Sequence, residues 1–451
     1  MKVIKFGGSS VASATQLKKV LAIVKSDVTR RFVVVSAPGK RNNEDQKVTD
    51  LLIAYYEAVK VKTDTTEITQ AILRRYGVMA EELGISEELC QQFQAELAEL
   101  KNNFDESNPY MLDAFLATGE NLNAQLIANF FKNSGLDARY INPKELGIQV
   151  SAQPHNARIL EKSYEKIYQW RDSNDILVIP GFFGFTEEGQ ICTFSRGGSD
   201  ITGSIVAAGL KADCYENFTD VDGIFAANPK YIHDPELIDV LTYREMRELS
   251  YAGFKVFHDE ALMPSYHAKI PVVIKNTNNP NCTGTIITES YNKAKHHNEV
   301  VGVASDGGFC SITIAKYLLN REIGIVRKIL QVFEDLDISF EHMPSGIDDI
   351  SIVLREEQLT PEIEKALLEN IENAISPDLM EIEHDLSVLA LVGEGMRDRP
   401  GTTAESAAAL ARKNISLRMI SQGADERSII FVIRGDQERQ AVRSIYYTFF
   451  D

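Results

Sequence analysis

Of 451 residues only five are cysteine and one is tryptophan. The cysteines, at 90, 192, 214, 282 and 310, are odd in number, widely spaced and never form a Cys-x-x-Cys pair. That excludes a disulfide-stapled scaffold and a zinc site, and leaves reduced thiols of a cytoplasmic protein as the expectation. No apolar run approaches the roughly 18 residues that span a bilayer. The N-terminal MKVIKFGGSSVAS meets glycines too early for a signal peptide. Cations are short as well: 47 Lys and Arg against 65 Asp and Glu leave a net charge of −18. A nucleic-acid surface needs clustered cations, so an anionic ligand here must be met by a few locally placed ones. Neither G-x-x-x-x-G-K-[ST] nor G-x-G-x-x-G occurs, which argues against a P-loop and a dinucleotide fingerprint.

What is present is long enough for two or three domains. Strand-like runs KVIKF, RFVVVSA and ILVIPGF alternate with helical stretches at Thr15–Lys25 and Asp50–Val59, the alternation of an α/β domain with a mainly parallel sheet. A Glu-, Leu- and Ala-rich stretch within about residues 60–108 reads as a helical insertion. Polar Glu289–Glu299 reads as a linker, placing the first domain at 1–295. Beyond it the chain repeats itself at an offset of 77: Gly324 meets Gly401, Ile338-Ser339 meets Ile415-Ser416, Gly346 meets Gly423, and Ser351-Ile352 meets Ser428-Ile429. Each copy reads strand, helix, strand, strand, helix, with ISFEHM as the middle strand of the first. Two modules are expected, 306–385 and 386–451. The second lacks a closing strand, and an open edge is usually paired, so Asn298–Ser305 is expected to cross over and complete it.

Three patches suggest chemistry. VIKFGGSS is a strand running into two glycines, with Lys5 at the strand end; such a turn offers amides to an anion. CTFSRGGSD (Cys192–Asp200) sets the fork of Arg196, suited to a carboxylate or phosphate, beside Gly197 and Gly198, which would let a ligand sit against the backbone. An Arg–Asp surface pair capping a helix that starts near Thr202 is the plainer reading. NFTDVDGIFAANPK ends a strand at Thr219-Asp220 and closes on Lys230. Glu120, in ATGENLN, and Lys255, in GFKVFHDEAL, each lie next to or near a glycine expected to precede a helix.

Together KFGGSSV, TGE, FSRGGSD, TDVDGIFAANPK and GFKVFHDEA, in this order and spacing, resemble the aspartokinases of the amino-acid kinase superfamily. The C-terminal repeat, with MPSGIDDISI and MISQG, is similar to that family's paired ACT domains. The resemblance covers essentially the whole chain. It implies an amino-acid-kinase-type parallel sheet sandwiched by helices, followed by two small βαββαβ modules of ferredoxin-like ACT type. It also implies transfer of the ATP γ-phosphoryl group, with Mg²⁺, to the side-chain carboxylate of L-aspartate. On that basis Lys5 and Asp200 are the catalytic pair, with Lys5 stabilising the transferring phosphoryl and Asp200 orienting Lys5 or Arg196. Arg196, Glu120, Thr49 and Ser199 would bind aspartate. Lys5, Gly7, Gly8, Ser9, Thr219, Asp220, Phe225, Lys230, Lys255 and Val256 would bind the nucleotide. Phe225, Asn228 and Lys230 depart from the family's usual Tyr, Asp and Arg, which implies altered ATP contacts.

The paired modules imply a regulatory amino acid, lysine and/or threonine, in a pocket of Gly324, Ile325, Ser345, Gly346, Ile347 and Asp348. They also imply a homodimer. MISQGADERSI differs from the family after QG, which puts ligand binding by the second module in question. With the chain ending at Asp451, no fused dehydrogenase domain is expected, and no protein metal site, nucleic acid or membrane. The alternatives are a glutamate, N-acetylglutamate or nucleoside-monophosphate kinase of the same fold, or a catalytically silent amino-acid sensor.

Overall fold

The structure is a computed structural model and describes residues 1–195, 197–254, 259–290, 299–397, 399–423 and 427–450. The chain separates into two compact units. The first comprises Met1–Ile224, Leu237–Met246 and the described residues of 255–291; the second comprises Phe225–Glu236, Arg247–Phe254 and the described residues of 292–451. Two segments that precede the linker in sequence thus belong, by contact, with the C-terminal part of the chain.

The elements up to the first crossover pair are β1 (Lys2–Phe6), α1 (Ala14–Lys25), β2 (Arg30–Val35) and α2 (Val48–Lys60). The insertion forms α3 (Thr66–Glu82) and α4 (Glu87–Asn102) and leads into the long α5 (Met111–Asn133). Then come β3 (Ala138–Tyr140), α6 (Pro143–Leu146), α7 (Lys162–Tyr168), β4 (Ile176–Pro180), and the hairpin of β5 (Phe183–Phe185) and β6 (Ile191–Thr193). After them follow α8 (Gly198–Leu210), β7 (Cys214–Thr219), β8 (Val240–Thr242), α9 (Tyr243–Tyr251), α10 (Asp259–Ala268), β9 (Val272–Asn276) and β10 (Thr285–Thr288).

Eight strands form one sheet in the order β3-β4-β2-β1-β7-β9-β10-β8. All neighbours are parallel except β9 with β10. Strands covered on both faces become continuous apolar runs. Accordingly Val3, Ile4 and Phe6 of β1 and Phe32–Val35 of β2 are fully buried. Lys5 is the exception in β1, a cation in a buried strand. The insertion docks on α5 and α2 through buried hydroxyls: Tyr76 Oη of α3 donates to the Gly119 carbonyl of α5 at 2.7 Å, and Tyr55 Oη of α2 donates to the Leu97 carbonyl of α4 at 2.8 Å. Because Gly119 has no side chain, Ala37, Leu52 and Val48 close against α5, bringing the start of α2 beside it.

The second unit is built on β11 (Gly302–Ala315), α11 (Ile325–Asp335), β12 (Asp349–Arg355), α12 (Pro361–Ile375) and β13 (Leu379–Val392). It ends with α13 (Thr402–Ala411), β14 (Met419–Gln422), β15 (Ser428–Arg434) and α14 (Glu438–Phe449). Its five strands make one antiparallel sheet, β12-β11-β13-β15-β14. The long strands β11 and β13 serve both halves. Gly302–Ser305 pairs with Leu389–Val392, Phe309–Ala315 pairs with Leu379–Leu386, and the register shifts between Asp306 and Phe309. Asn298, where the crossover strand is expected to begin, lies outside the described residues.

The expected strand ISFEHM does not form. Its place is taken by isolated bridges, His342 to Val353 and Ser345 to Ile350. At the offset of 77 Pro344 corresponds to Ser421, the third residue of β14. Proline has no N–H to give the ladder, so the first copy keeps only fragments of the strand the second copy completes.

Candidate active site

The polar side chains converge at the carboxyl ends of β1, β2, β4 and β7, the edge at which open parallel sheets bind ligands. Lys5 and Asn217 are register partners on β1 and β7, so their side chains leave the same face. Lys5 is 6% exposed, a burial an ammonium tolerates only with a counter-ion. Asp200 supplies it: Lys5 Nζ lies 2.5 Å from Asp200 Oδ1, and Asn217 Nδ2 donates to the same oxygen at 2.7 Å.

Asp200 sits in the first turn of α8, which starts at Gly198, four residues before the expected start near Thr202. The reason is Gly197, whose φ of 77° makes a left-handed N-cap that a side chain would strain. Gly198 also has a structural task, since a Cβ there would stand 2.4 Å from Phe182 Cδ2. The paired glycines therefore shape and pack this helix start, where the sequence suggested room for a ligand. Ser199 and Asp200 are first-turn residues, and Ser199 faces α5.

There Glu120 lies in mid-helix on α5, not ahead of a helix start as the sequence suggested. Ser199 Oγ approaches Glu120 Oε1 at 3.5 Å, and Oε2 is buried with no hydrogen-bond partner among the described residues. Burial pushes the Glu120 carboxyl up to about 7, while the Ala37 amide, Ser199 and Lys5 pull it back. Asn217 Oδ1 is a second buried acceptor without a partner among the described residues. Buried acceptors left open in this way call for a donor.

The Gly7–Gly8 turn runs into a short 3-10 helix, Gly8–Val11, before α1. Gly7 leaves space beside the ammonium, for a Cβ there would lie 3.5 Å from Lys5 Nζ. Gly8 packs backbone to backbone on Gly39, whose amide donates to the Gly8 carbonyl at 2.9 Å. Ser9 is half-buried in this turn, and Ser10 Oγ meets Thr277 Oγ1 at 2.7 Å. The Thr277 amide in turn donates to the carbonyl of Thr219, at the end of β7, and Asp220 is exposed just beyond. Thr49 is half-buried in the first turn of α2, next to Val48, which packs on Gly119.

Arg196, Lys255 and Val256 lie outside the described residues. Phe225 and Lys230 fall in the second unit, where Asn228 Oδ1 accepts the Lys230 amide at 3.0 Å. In the same unit the regulatory candidates divide into two groups. Gly324, φ 80°, caps α11 and Ile325 is its buried first residue. Asp348 Oδ1 accepts the Leu318 amide at 2.9 Å and the Ile347 carbonyl accepts the Asn320 amide at 3.1 Å. The two groups are thus linked through the turn before α11. Ser345 bridges Ile350, and the Gly346 amide donates to the Asp349 carbonyl at 2.9 Å.

Two residues of the site escaped sequence reasoning. Asn217 stands inside β7 beside the equally buried Glu216, and only its register pairing with Lys5 singles it out. Asp113, fully buried on α5, accepts the Thr193 amide at 2.6 Å and the His155 amide at 3.1 Å. It fixes the strand that enters FSRGGSD to the helix that carries Glu120. Among the described residues no three His, Cys, Asp or Glu side chains cluster to hold a metal, and no helix is long and apolar enough to cross a membrane.

Comparison with known proteins places these features in context. The family model described as the amino acid kinase family matches residues 1–276, and an ACT domain model matches 389–449. Aspartokinase 3 of Bacillus subtilis is 49% identical over 451 residues, covering 100% of this chain and 99% of the relative. A bifunctional aspartokinase/homoserine dehydrogenase of Haemophilus influenzae is 27% identical, across 100% of this chain and 57% of its own length. Among solved structures, the aspartate kinase of Clostridium acetobutylicum aligns over 100% of both chains with a TM-score of 0.88 and 37% identity. Aspartokinase III of E. coli, solved with aspartate and ADP, shares the fold at a TM-score of 0.76 and 23% identity, again over both whole chains.

Proposed function

The chain belongs to the amino acid kinase family, and within it to the aspartokinases, and from that premise we propose that it transfers the γ-phosphoryl group of ATP to the side-chain carboxylate of L-aspartate. The product is 4-phospho-L-aspartate. The observation that carries this reading is the pairing of two opposite charges in one cleft. A lysine is held by Asp200 beside the Gly7 turn, and within reach of its charge lies a buried Glu120 with an open oxygen.

The attacking group is a carboxylate, ionised at neutral pH because its pKa is about 4, so no general base is needed. What must be overcome is the approach of one anion to another, and catalysis is positioning and charge neutralisation. Lys5 neutralises the transferring phosphoryl group, and Asp200 with Asn217 keeps its ammonium aimed. Glu120 receives the substrate ammonium, helped by Ser199 and Thr49, and Arg196 takes the carboxylate that does not react. Thr219, Asp220, Phe225, Lys230, Lys255 and Val256, with the Gly7-Gly8-Ser9 turn, take ATP. Bound with ATP, Mg²⁺ would be held chiefly by the nucleotide phosphates and would supply charge neutralisation beside Lys5.

The same reading makes the reaction the first step toward lysine, threonine and methionine. It makes the second unit a sensor of lysine and/or threonine at Gly324, Ile325, Ser345, Gly346, Ile347 and Asp348, in a homodimer. The deciding experiment is ADP release with Mg-ATP, offering aspartate, glutamate, N-acetylglutamate and UMP separately, with hydroxylamine to trap an acyl phosphate. Turnover with aspartate alone is expected. Removing one member of a desolvated charge pair costs about 3–5 kcal/mol, so Arg196→Ala should lower kcat/KM for aspartate by about two decades or more. Absence of aspartate-dependent turnover by folded protein would refute the reading.

A further inference from the structure

The second unit contains a polar cluster that the catalytic reading does not use. It centres on Glu438, the first residue of α14. Its Oε1 accepts from Tyr231 Oη at 3.1 Å and from Ser305 Oγ at 2.6 Å, and its Oε2 from Ser387 Oγ at 3.2 Å. Ser305 lies on β11 and Ser387 on β13, beside the point where the register of that strand pair shifts. Tyr231 comes from Phe225–Glu236, the excursion that carries Phe225 and Lys230.

That excursion is held along its length by the C-terminal module. The Val303 amide donates to the Ala226 carbonyl at 2.7 Å, and the Glu236 amide donates to Tyr446 Oη at 2.9 Å. Tyr446 is two turns beyond Glu438 on α14. The ends of the excursion are anchored elsewhere, in the first unit, where the Ile224 amide donates to Thr285 Oγ1 at 2.8 Å and the Ile238 amide to the Ile224 carbonyl at 2.9 Å.

We propose that Glu438 is a positioning residue for the nucleotide: through Tyr231 it holds the loop bearing Phe225 and Lys230, and so sets ATP affinity from within the second ACT-type module. The inference rests on the assignment of those two residues to ATP. It supplies a physical route for regulation. β11 begins at Gly302, carries Ser305 to Glu438, and ends at Ala315, next to the turn whose Leu318 amide is held by Asp348. Were β11 to move against β13 at the expected effector site, Ser305 would shift relative to Ser387 and the three hydrogen bonds on Glu438 would have to rearrange.

Tyr231→Phe is the cleanest probe, because it deletes one hydroxyl and leaves Ser305 and Ser387 on Glu438. Calorimetric titration with Mg²⁺ and a non-hydrolysable ATP analogue should show about tenfold weaker binding, the worth of one hydrogen bond to a carboxylate. The KM for ATP should rise by the same factor, with kcat, the KM for aspartate and the melting temperature unchanged. Glu438→Ala should reproduce the loss, and the double variant should be no weaker than Glu438→Ala alone. Glu438→Gln, which keeps an acceptor oxygen, should restore most of the affinity. Unchanged analogue affinity in Tyr231→Phe overturns the proposal. So does a general loss of both substrates and of melting temperature, which would mark the contact as structural. If the wild-type protein fails to turn over aspartate, the functional reading falls, while the analogue titration still decides the role of Glu438.

Discussion

At the scale of single residues, Glu120 is a candidate site residue whose ionisation its surroundings shift. Its carboxyl is raised from an ordinary 4.5 to about 7, and burial is the main cause. A carboxyl raised in the folded state favours folding in its protonated form. Its contribution is therefore complete below about pH 4.5 and is lost as pH rises through about 7, worth on the order of 3 kcal/mol. A substrate ammonium reverses the preference, since it binds the ionised form. Aspartate should therefore bind about tenfold more weakly at about pH 6 than at about pH 8, as Glu120 takes up its proton. The KM for aspartate measured across that range checks this, with Glu120→Gln expected to bind weakly throughout and without the slope. A flat profile in the wild-type protein would remove Glu120 from the ammonium site. Lys5 and Asp200 stood out in the sequence as charged residues beside glycines at element ends, and Glu120 as one beside a glycine, although that glycine lies within a helix. Asn217 and Asp113 were not, because nothing local in the sequence says that a buried amide or acid points at a distant loop.

At the scale of elements, α8 is the piece on which the cleft depends. It brings Ser199 to Glu120 and Asp200 to Lys5, and it lies close on the sheet because it carries little side-chain bulk. A Cβ on Gly203 would stand 2.4 Å from Tyr215 Oη, and that same hydroxyl donates to the Asp200 carbonyl at 3.2 Å. Gly203→Ala must therefore push the helix or the buried Tyr215 ring aside. We expect a loss of stability of about 1–3 kcal/mol, the usual result of overpacking, and a fall in kcat from displacement of Asp200. Urea melts and steady-state rates measure both; wild-type values for both would mean that the helix has slack the packing does not suggest. Elements with a strong period were readable: β1, β2 and β4 from short, mostly apolar runs, and α3 and α4 from helical spacing. The start of α8 was not, since glycine's left-handed freedom at Gly197 is invisible without backbone angles. The missing strand at ISFEHM was a conflict the sequence did contain, with Pro344 set against a repeat that elsewhere forms β14.

At the scale of the whole molecule, sequence order and spatial grouping part company. Composition places a boundary near residue 295, and the internal repeat suggests two modules beyond it. By contact, however, Phe225–Glu236 and Arg247–Phe254 are packed with the C-terminal chain. Ile232 and Leu249 are buried there, and the missing side chain of Gly302 leaves Leu249 Cδ2 only 3.0 Å from where a Cβ would stand. No periodicity announces this, because the partners are more than fifty residues away and the segments themselves are short and irregular. The consequence is that a chain cut near residue 295 is not a self-sufficient kinase. It would expose Ile232 and Leu249, each worth about 1.5–3 kcal/mol when buried, and would leave the Ala226 carbonyl and the Glu236 amide without Val303 and Tyr446. We expect residues 1–295 to be expressed in aggregating or loosened form, with phosphorylation of aspartate lost, and co-expression of residues 296–451 to restore soluble, active protein by supplying those contacts in trans. Sedimentation and ADP release on the two preparations test it. A soluble, fully active 1–295 would show that the excursion folds without its C-terminal partners and that the two units are independent in the way the linear sequence suggests.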